Sequence, residues 1–293
     1  MSRDAIVAEF ERLRPYLLRL AYSHLGSIGE AEDVVQEAWL RLERADRAEI
    51  RDLRAWLSAT VARLAIDALT SARARRERYV GTWLPEPLVG VAAERDDPAD
   101  RVTLDESVSL ALLVVLESLT PAERSAFLLH DVFGYSFEQV AEIVGRSPEA
   151  SRQLAARARG RVEDERPRYP ATVAQQRELV EAFLAAAIDG DIERLLVLLD
   201  PEVEFRSDGG GRVPAAHKIL RGVHRVAGVV AAMAGHYEGA FDAALVEVNG
   251  APGLLVESDG TLNVIAFAVS NGRIRAIDVI RNPDKLRHLK RSR

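Results

Sequence analysis

SFEQVAEIVGRSPEASRQLAARARGRV, residues 136–162, sets the reading of the whole chain. Val140, Ala141, Ile143 and Val144 give a short first helix one buried stripe, and Gly145 supplies the residue that turns tightly after it. Ser147 is a good N-cap, Pro148 suits the first helical position and Glu149 puts an acid in the first turn, so a second helix is expected from Pro148. That helix is basic. Arg152, Arg157, Arg159 and Arg161, with Gln153, combine charge for phosphates with planar donors of the kind that read base edges in a major groove. An ordinary helical hairpin with a solvated arginine face carries the same pattern, so the surrounding chain has to decide.

The 293 residues are 48% hydrophobic, enough for more than one core. Cysteine is absent, which excludes disulfides, thiolate metal sites and thiol nucleophiles. No apolar run reaches the roughly 20 residues of a membrane span, and MSRDAIVAEFERLRP lacks a signal-peptide core, so a cytoplasmic protein without membrane contact is expected. No residue pattern calls for a metal or a cofactor. The net charge of -6 argues against a nucleic-acid partner until its distribution is read. Between Gly81 and Leu110 seven acids face two arginines, while basic clusters stand at Arg73–Arg78 and Arg152–Arg161. An acidic stretch between basic patches is either a solvated linker or a shield.

Upstream, Ile6, Phe10, Leu13, Leu17 and Leu20 follow helical spacing, and Ser27-Ile28-Gly29 interrupt it. Ala31 to Leu42 resume it with Val34, Val35, Ala38, Trp39 and Leu42 on the buried side. A third helix runs from Leu53 to Leu69 and leads into SARARRERY. The succession AEDVVQEAWLRL, LRAWLSATVARLAIDALTSARARR and LESLTPAERSAFLLHDVFGYSFEQVAEIVGRSPEASRQLAARAR resembles regions two and four of the bacterial extracytoplasmic-function sigma factors of the sigma-70 family. The resemblance implies core RNA polymerase and promoter DNA as partners, with Asp33, Gln36 and Glu37 meeting the polymerase. It assigns Trp56, Arg63, Arg73, Arg75 and Arg76 to the −10 element, where strand opening needs a stacking surface and a positive groove. Ser147, Glu149, Arg152, Gln153 and Arg157 fall to the −35 element. Two departures from the family pattern stand out: Leu64 follows Arg63 where Asn is common, and Ala155 and Ala156 occupy positions that are often bulkier or polar.

The linker contains WLPEPL, in which Pro85 and Pro87 hold an extended chain, Glu86 adds charge, and Trp83 and Leu88 are expected to anchor its ends. Val89 to Asp100 read as mobile. After Pro167 and Pro170 the character changes: helices at Val173–Ile188 and Asp191–Leu199, a strand at Val203–Arg206, a helix at Val223–Ala234, then four strands over 241–280 divided by Asn249-Gly250, Asp259-Gly260 and Asn271-Gly272. This resembles the α+β cone of SnoaL-like and NTF2-like domains. The expected fold is multidomain: a region 2 domain at 1–80, an acidic linker at 81–107, a region 4 helix-turn-helix domain at 108–166, and a SnoaL-like domain at 171–293. WLPEP, the loop Asp208-Gly209-Gly210-Gly211-Arg212 and the tail Asn282-Pro283-Asp284-Lys285 together resemble the SigJ-like subgroup, and imply control in cis without a separate anti-sigma factor. Asp284-Lys285 are expected to open a terminal helix. Two alternatives stay open: a one-component regulator whose cone binds a small molecule, and a cyclase- or isomerase-type enzyme with Asp208, His217, His224 or His236 as base.

Overall fold

A computed structural model describes residues 3–46, 49–76, 79–90, 108–165, 171–236, 241–258 and 260–291. Two compact units emerge, one of Met1–Glu77, Ala99–Ser107 and Val115–Glu165, the other of Arg78–Pro98, Val108–Val114 and Arg166–Arg293. No helix among the described residues is long and apolar enough to cross a membrane.

The first unit is helical. α1 (Arg3–Leu25), α2 (Ile28–Arg44) and α3 (Leu53–Arg76) form a three-helix bundle that buries Phe10, Leu17, Leu20, Val35, Leu42, Leu57 and Val61. The expected break at Ser27–Gly29 shrinks to two residues, because Gly26 takes the left-handed turn and Ser27 caps α2 by accepting the Glu30 N–H. α4 (Leu110–Leu116) ends in this unit, and α5 (Pro121–Phe127) follows behind a reciprocal Thr120–Glu123 capping box. A π-helical turn, Leu128–Val132, then leads to α6 (Phe137–Val144) and α7 (Pro148–Glu165). Gly145 sits at φ 70 between these last two, as the tight turn requires.

The second unit is an α+β cone. α8 (Val173–Ile188), α9 (Ile192–Leu198) and α10 (Val223–His236) cover one face of a sheet built from β1 (Val89–Gly90), β2 (Leu199–Asp208), β3 (Leu220–Arg221), β4 (Phe241–Val248), β5 (Ala251–Ser258), β6 (Thr261–Ser270) and β7 (Arg273–Ile280), in the order β1-β4-β5-β6-β7-β2-β3. Strands β4 to β7 form the expected meander. The strand expected at Val203–Arg206 is longer and runs parallel to β7, with Asp208 opposite Ile280. Val89-Gly90 are not a loose tether, since they pair with Glu247 and Val248 as an edge strand; residues 91–107 lie outside the described residues. The side-chain alternation of a strand gives the sheet two apolar faces. Phe205, Ile277 and Val279 face the helices, whereas Val264 and Ile280 join Leu84, Leu110 and Leu286 on the other side. The expected terminal helix at Asp284 is a turn, and a short 3-10 segment follows at Arg287–Arg291. Asn282 accepts the Asp284 N–H at 3.0 Å and bends the chain before a helix can start.

The helical unit buries a charged network as well as its apolar core. Arg124, 1% exposed, donates to Glu117 and to the Ser23 carbonyl, and Arg76 donates to the same Glu117 and to the Leu25 carbonyl. This network ties α1 and α3 to α5, and burial lowers the Arg124 pKa against the opposing pull of Glu117. Beside it, burial pushes the His24 imidazole down to about 4; the Leu20 carbonyl opposes that shift and Arg124 reinforces it. The unfolded histidine would bind its proton near pH 6.5, so this contribution to stability is complete above that pH and drains away as pH falls toward 4. Urea unfolding of the full chain should therefore lose about 2 kcal/mol between pH 7 and pH 5 through His24. The His24→Gln chain should show a flatter profile by that amount, and parallel profiles would refute the assignment.

Candidate nucleic-acid surfaces and the Asp208 hub

The helical unit displays most of its candidate contacts in the open. On α2, Asp33 and Gln36 are exposed, and Glu37 pairs with Arg41 at 3.0 Å. On α3, Trp56 is half-buried and Arg63 is exposed, reaching Glu142 of α6 at 3.5 Å. Arg76 is taken up by Glu117, and the side chains of Arg73 and Arg75 lie outside the described residues. Along α7, Ala155 and Ala158 are buried against the unit, which turns Arg152, Gln153, Ala156 and Arg157 outward. Alanine at 155, where larger residues are common, thus lets this helix pack closely. Ser147 is spent as the N-cap, accepting the Ala150 N–H at 3.2 Å.

All four guanidinium groups on α7 rest on an acid. Arg152 lies 3.4 Å from Glu138 and 3.7 Å from Glu149, above the Phe137 ring. Arg157 and Arg161 approach the two oxygens of Glu123 at 3.2 and 3.4 Å, and Arg159 reaches Asp131 at 2.6 Å. Burial would raise the Glu123 pKa, but the Thr120 backbone and hydroxyl donors and the two arginines outweigh it and hold the carboxyl ionised.

In the second unit the quoted motifs converge on one carboxylate. Asp208, fully buried, accepts the Tyr79 hydroxyl (2.6 Å) and the Gly210 N–H (3.0 Å) on Oδ1, and the Leu84 N–H (2.9 Å) and Lys285 Nζ (2.7 Å) on Oδ2. Lys285 also donates to the Leu84 carbonyl and stands 4.0 Å from the centroid of the Trp83 ring, a cation–π contact. Tyr79 accepts from Asn282 Nδ2 at 2.7 Å; burial chiefly, and then Asp208, raises its pKa and keeps it a donor. Pro85 and Pro87 are buried and Glu86 half-buried, whereas Arg212 pairs with Asp284 at 3.4 Å on the surface. Leu84, 1% exposed in the outer apolar cluster, is the deepest of the linker's apolar anchors; Trp83 and Leu88, the expected ones, are half-buried, Trp83 against Lys285 and the Leu88 backbone against Asn249. The glycines have steric reasons. A Cβ on Gly210 would fall 2.3 Å from Asn282 Nδ2, and one on Gly209 would fall 2.3 Å from the Val213 carbonyl oxygen.

Two contributors had no place in the motifs. Tyr79 follows the arginine run and carried no pattern of its own. Asn249 looked like a hairpin turn residue, and at φ 49 it is one. Its side chain also accepts the Leu88 N–H (3.0 Å) and donates to the Val108 carbonyl (3.3 Å), so it holds Leu88 and Val108 to the same hairpin end. The residues considered as catalytic bases do not gather. Asp208 points to the outer face, His217 and His224 are exposed, and the His236 side chain lies outside the described residues.

The hub predicts a graded response to alanine. Gly210→Ala and Gly211→Ala both place a Cβ at positive φ (64 and 68), at about 1–2 kcal/mol each. Only the first displaces Asn282; at Gly211 the nearest side-chain atom is Val80 Cβ at 3.4 Å. Chymotrypsin should therefore cut at Tyr79–Leu84 faster in the Gly210→Ala chain than in the Gly211→Ala chain, and equal rates would contradict the packing. Asp208→Ala, which strands Lys285, should cost about 3–5 kcal/mol and red-shift Trp83 emission, and an unchanged spectrum would count against the hub.

Comparison with known proteins follows the same division. The Sigma-70 region 2 family model matches residues 10–75 and the Sigma-70 region 4 model matches residues 109–162. The ECF RNA polymerase sigma factor SigJ of Mycobacterium tuberculosis (strain ATCC 25618 / H37Rv) is 40% identical over 294 residues, covering 95% of this chain and 92% of that protein. A probable ECF RNA polymerase sigma factor SigI of M. tuberculosis (strain CDC 1551 / Oshkosh) is 37% identical over 288 residues, covering 97% and 96%. The crystal structure of M. tuberculosis SigJ superposes with a TM-score of 0.78 at 38% identity, covering 96% of this chain and 98% of that one. With three helical motifs in order, a basic recognition helix and a relative matched along nearly its full length, this chain belongs to the extracytoplasmic-function sigma factors of the sigma-70 family.

Proposed function

We propose that the SnoaL-like domain regulates this sigma factor in cis by holding the connection between its two DNA-binding regions. One observation carries the reading: the Asp208 carboxylate accepts from Tyr79 and Leu84, which lie on that connection, and from Lys285 of the C-terminal tail. With Asn249 pinning Leu88 and Val108, the connection between α3 and α4 is gathered onto the cone, so its free reach is set by the cone rather than by chain length. Initiation requires region 2 at the −10 element and region 4 at the −35 element together, and a restraint on reach favours some spacings over others. A preference of about 1.4 kcal/mol shifts such a population tenfold. The domain then does the work of a separate anti-sigma factor.

Asp33, Gln36 and Glu37 serve core polymerase in this reading, and Trp56, Arg63, Arg73 and Arg75 the −10 element. Arg152, Gln153 and Arg157 read the −35 element, Ser147 and Glu149 set the start of the helix that carries them, and Arg76 serves the fold. The pair that holds Arg152 is exposed and cheap to exchange for phosphate or base, whereas Arg157 leans on a buried Glu123 that Thr120 and Arg161 also hold. The cone's inner cavity is lined by apolar side chains, with Ser258, Asn263 and Arg281 among them.

Run-off transcription with core polymerase tests both halves. Asp208→Asn and Asn249→Gly, which keep the local backbone, should each move output in the same sense as deletion of residues 171–293 and by no more than that deletion. Wild-type output from both variants would remove the regulatory reading. Arg152→Ala should relax base preference at the −35 element at a cost of about 1–3 kcal/mol, while Arg75→Ala should weaken all promoters evenly. Equal losses on every promoter from both would show that Arg152 is not a reader.

A further inference from the structure

The inner face of the cone holds a cavity of about 100 Å³, near the scale at which an engineered apolar cavity of roughly 150 Å³ takes up benzene. Its wall is apolar, with Phe183 from α8, Met233 from α10 and Val279 from β7. Ser258, Asn263 and Arg281 interrupt it. Strand register puts these three at one end of the sheet: Val256 faces Asn263 across β5 and β6, and Val264 faces Ile280 across β6 and β7, one residue short of Arg281. Asn263 Nδ2 donates to Ser258 Oγ at 3.2 Å and to the Val256 and Thr261 carbonyls, which leaves the Ser258 hydroxyl hydrogen free to donate. Arg281 Nε is buried without a hydrogen-bond partner, and no acid stands among the lining residues. A buried donor on a charged group, left unpaired in an apolar wall, calls for an anionic acceptor.

We propose that this cavity binds a small hydrophobic carboxylate, its apolar body against Phe183 and Met233 and its carboxylate accepting from Arg281 Nε. The occupied site reports to the hub. The Arg281 main-chain N–H donates to the Asp208 carbonyl at 2.9 Å, and the next residue, Asn282, donates to Tyr79. A ligand that fixes Arg281 on the inner face therefore biases the contacts that Asp208 and Asn282 make on the outer one. This second step rests on the regulatory reading above; the binding site does not.

Calorimetric titration of the full-length chain with phenylacetate and with its neutral near-isostere phenylacetamide tests the site. Phenylacetate should bind at least tenfold more tightly, and Arg281→Met should erase that preference. Met233→Trp, which fills the cavity from α10, should abolish binding of both while the thermal transition is retained. The proposal falls if neither compound gives saturable heat, if the two bind equally, or if the preference survives in Arg281→Met. The coupling is read separately: phenylacetate should shift Trp83 emission and run-off output in the wild type but not in Asp208→Asn. Binding with the expected preference and no shift in either readout upholds the site and overturns the coupling. Unaltered transcription from the hub variants removes the regulatory reading and leaves the titration result standing.

Discussion

A carboxylate withdrawn from water must have its lone pairs filled, and in this protein Asp208 draws that requirement through three stretches of chain far apart in sequence. Tyr79 and Leu84 come from before the second DNA-binding region, Gly210 from its own loop and Lys285 from the tail. Apolar packing alone would tolerate a slipped linker, because Leu84, Leu110 and Leu286 could trade places in a greasy cluster with little penalty. Four donors on two oxygens do not tolerate it. Breaking a buried pair costs several kcal/mol, whereas a shifted leucine costs about one. The outer cluster thus supplies attraction and Asp208 supplies register. Glycine at 209 and 210 follows from the same demand, since the loop and Asn282 must approach closely enough for every donor to reach.

Arginine does two different jobs in the helical unit, and solvent decides which. Arg124 and Arg76 meet Glu117 out of water, with side chains 1% and 13% exposed, where losing a partner strands a charge. Arg152 meets Glu138 with half or more of both side chains in solvent, and such a pair is worth about 0–1 kcal/mol, whereas Arg157 is 58% exposed against a Glu123 side chain that is 7% exposed. The first kind fixes helices to one another. The second keeps guanidinium groups ordered and their charge compensated at the surface. A chain with a net charge of -6 can therefore present a basic helix: its own carboxylates offset that surface.

Much of this was legible in the sequence. Gly145, Ser147 and Pro148 mark the helix-turn-helix because each meets a local steric or hydrogen-bonding need, and local needs are written in local residues. The hairpins at Asn249-Gly250 and Asn271-Gly272 follow from those turn residues for the same reason, and Asp259 lies outside the described residues. Non-local needs were harder to see. The parallel pairing of β2 with β7 leaves no trace in either strand's alternation, and Val89-Gly90 became an edge strand because Glu247 and Val248 offered free ladder groups, not because of its own composition. Asn249 was concealed by being doubly explained. Its left-handed backbone accounts for its identity in a turn, so nothing in the sequence asks for the second role its amide plays between Leu88 and Val108. Lys285 was expected near a helix start, but the Asn282 turn instead aims it inward.

The two faces of the cone's sheet are less independent than their separate cores suggest. Successive residues of a strand point to opposite sides, so the end of β7 carries Val279 and Arg281 toward the inner cavity and Ile280 toward the outer cluster within three positions. β2 repeats this beside it, with Phe205 inward and Asp208 outward, and the two strands are locked in parallel register at Asp208 and Ile280. A sheet cannot slide by one residue without reversing both faces, so a displacement imposed on one side travels through backbone hydrogen bonds of fixed length to the other. The pairing of Asp208 with both the linker's donors and the Arg281 backbone makes this the place where such a displacement changes which groups meet. The cavity on the inner face is lined by Phe205 of β2 and by Ile277 and Val279 of β7. Here the buried carboxylates Asp208 and Asp278 both lie on strands paired edge to edge and both face away from it: Asp278 stands 2.7 Å from Arg206, and burial raises its pKa against that arginine's pull. The Asp208 charge is used on the outer side, where it holds the linker and the tail.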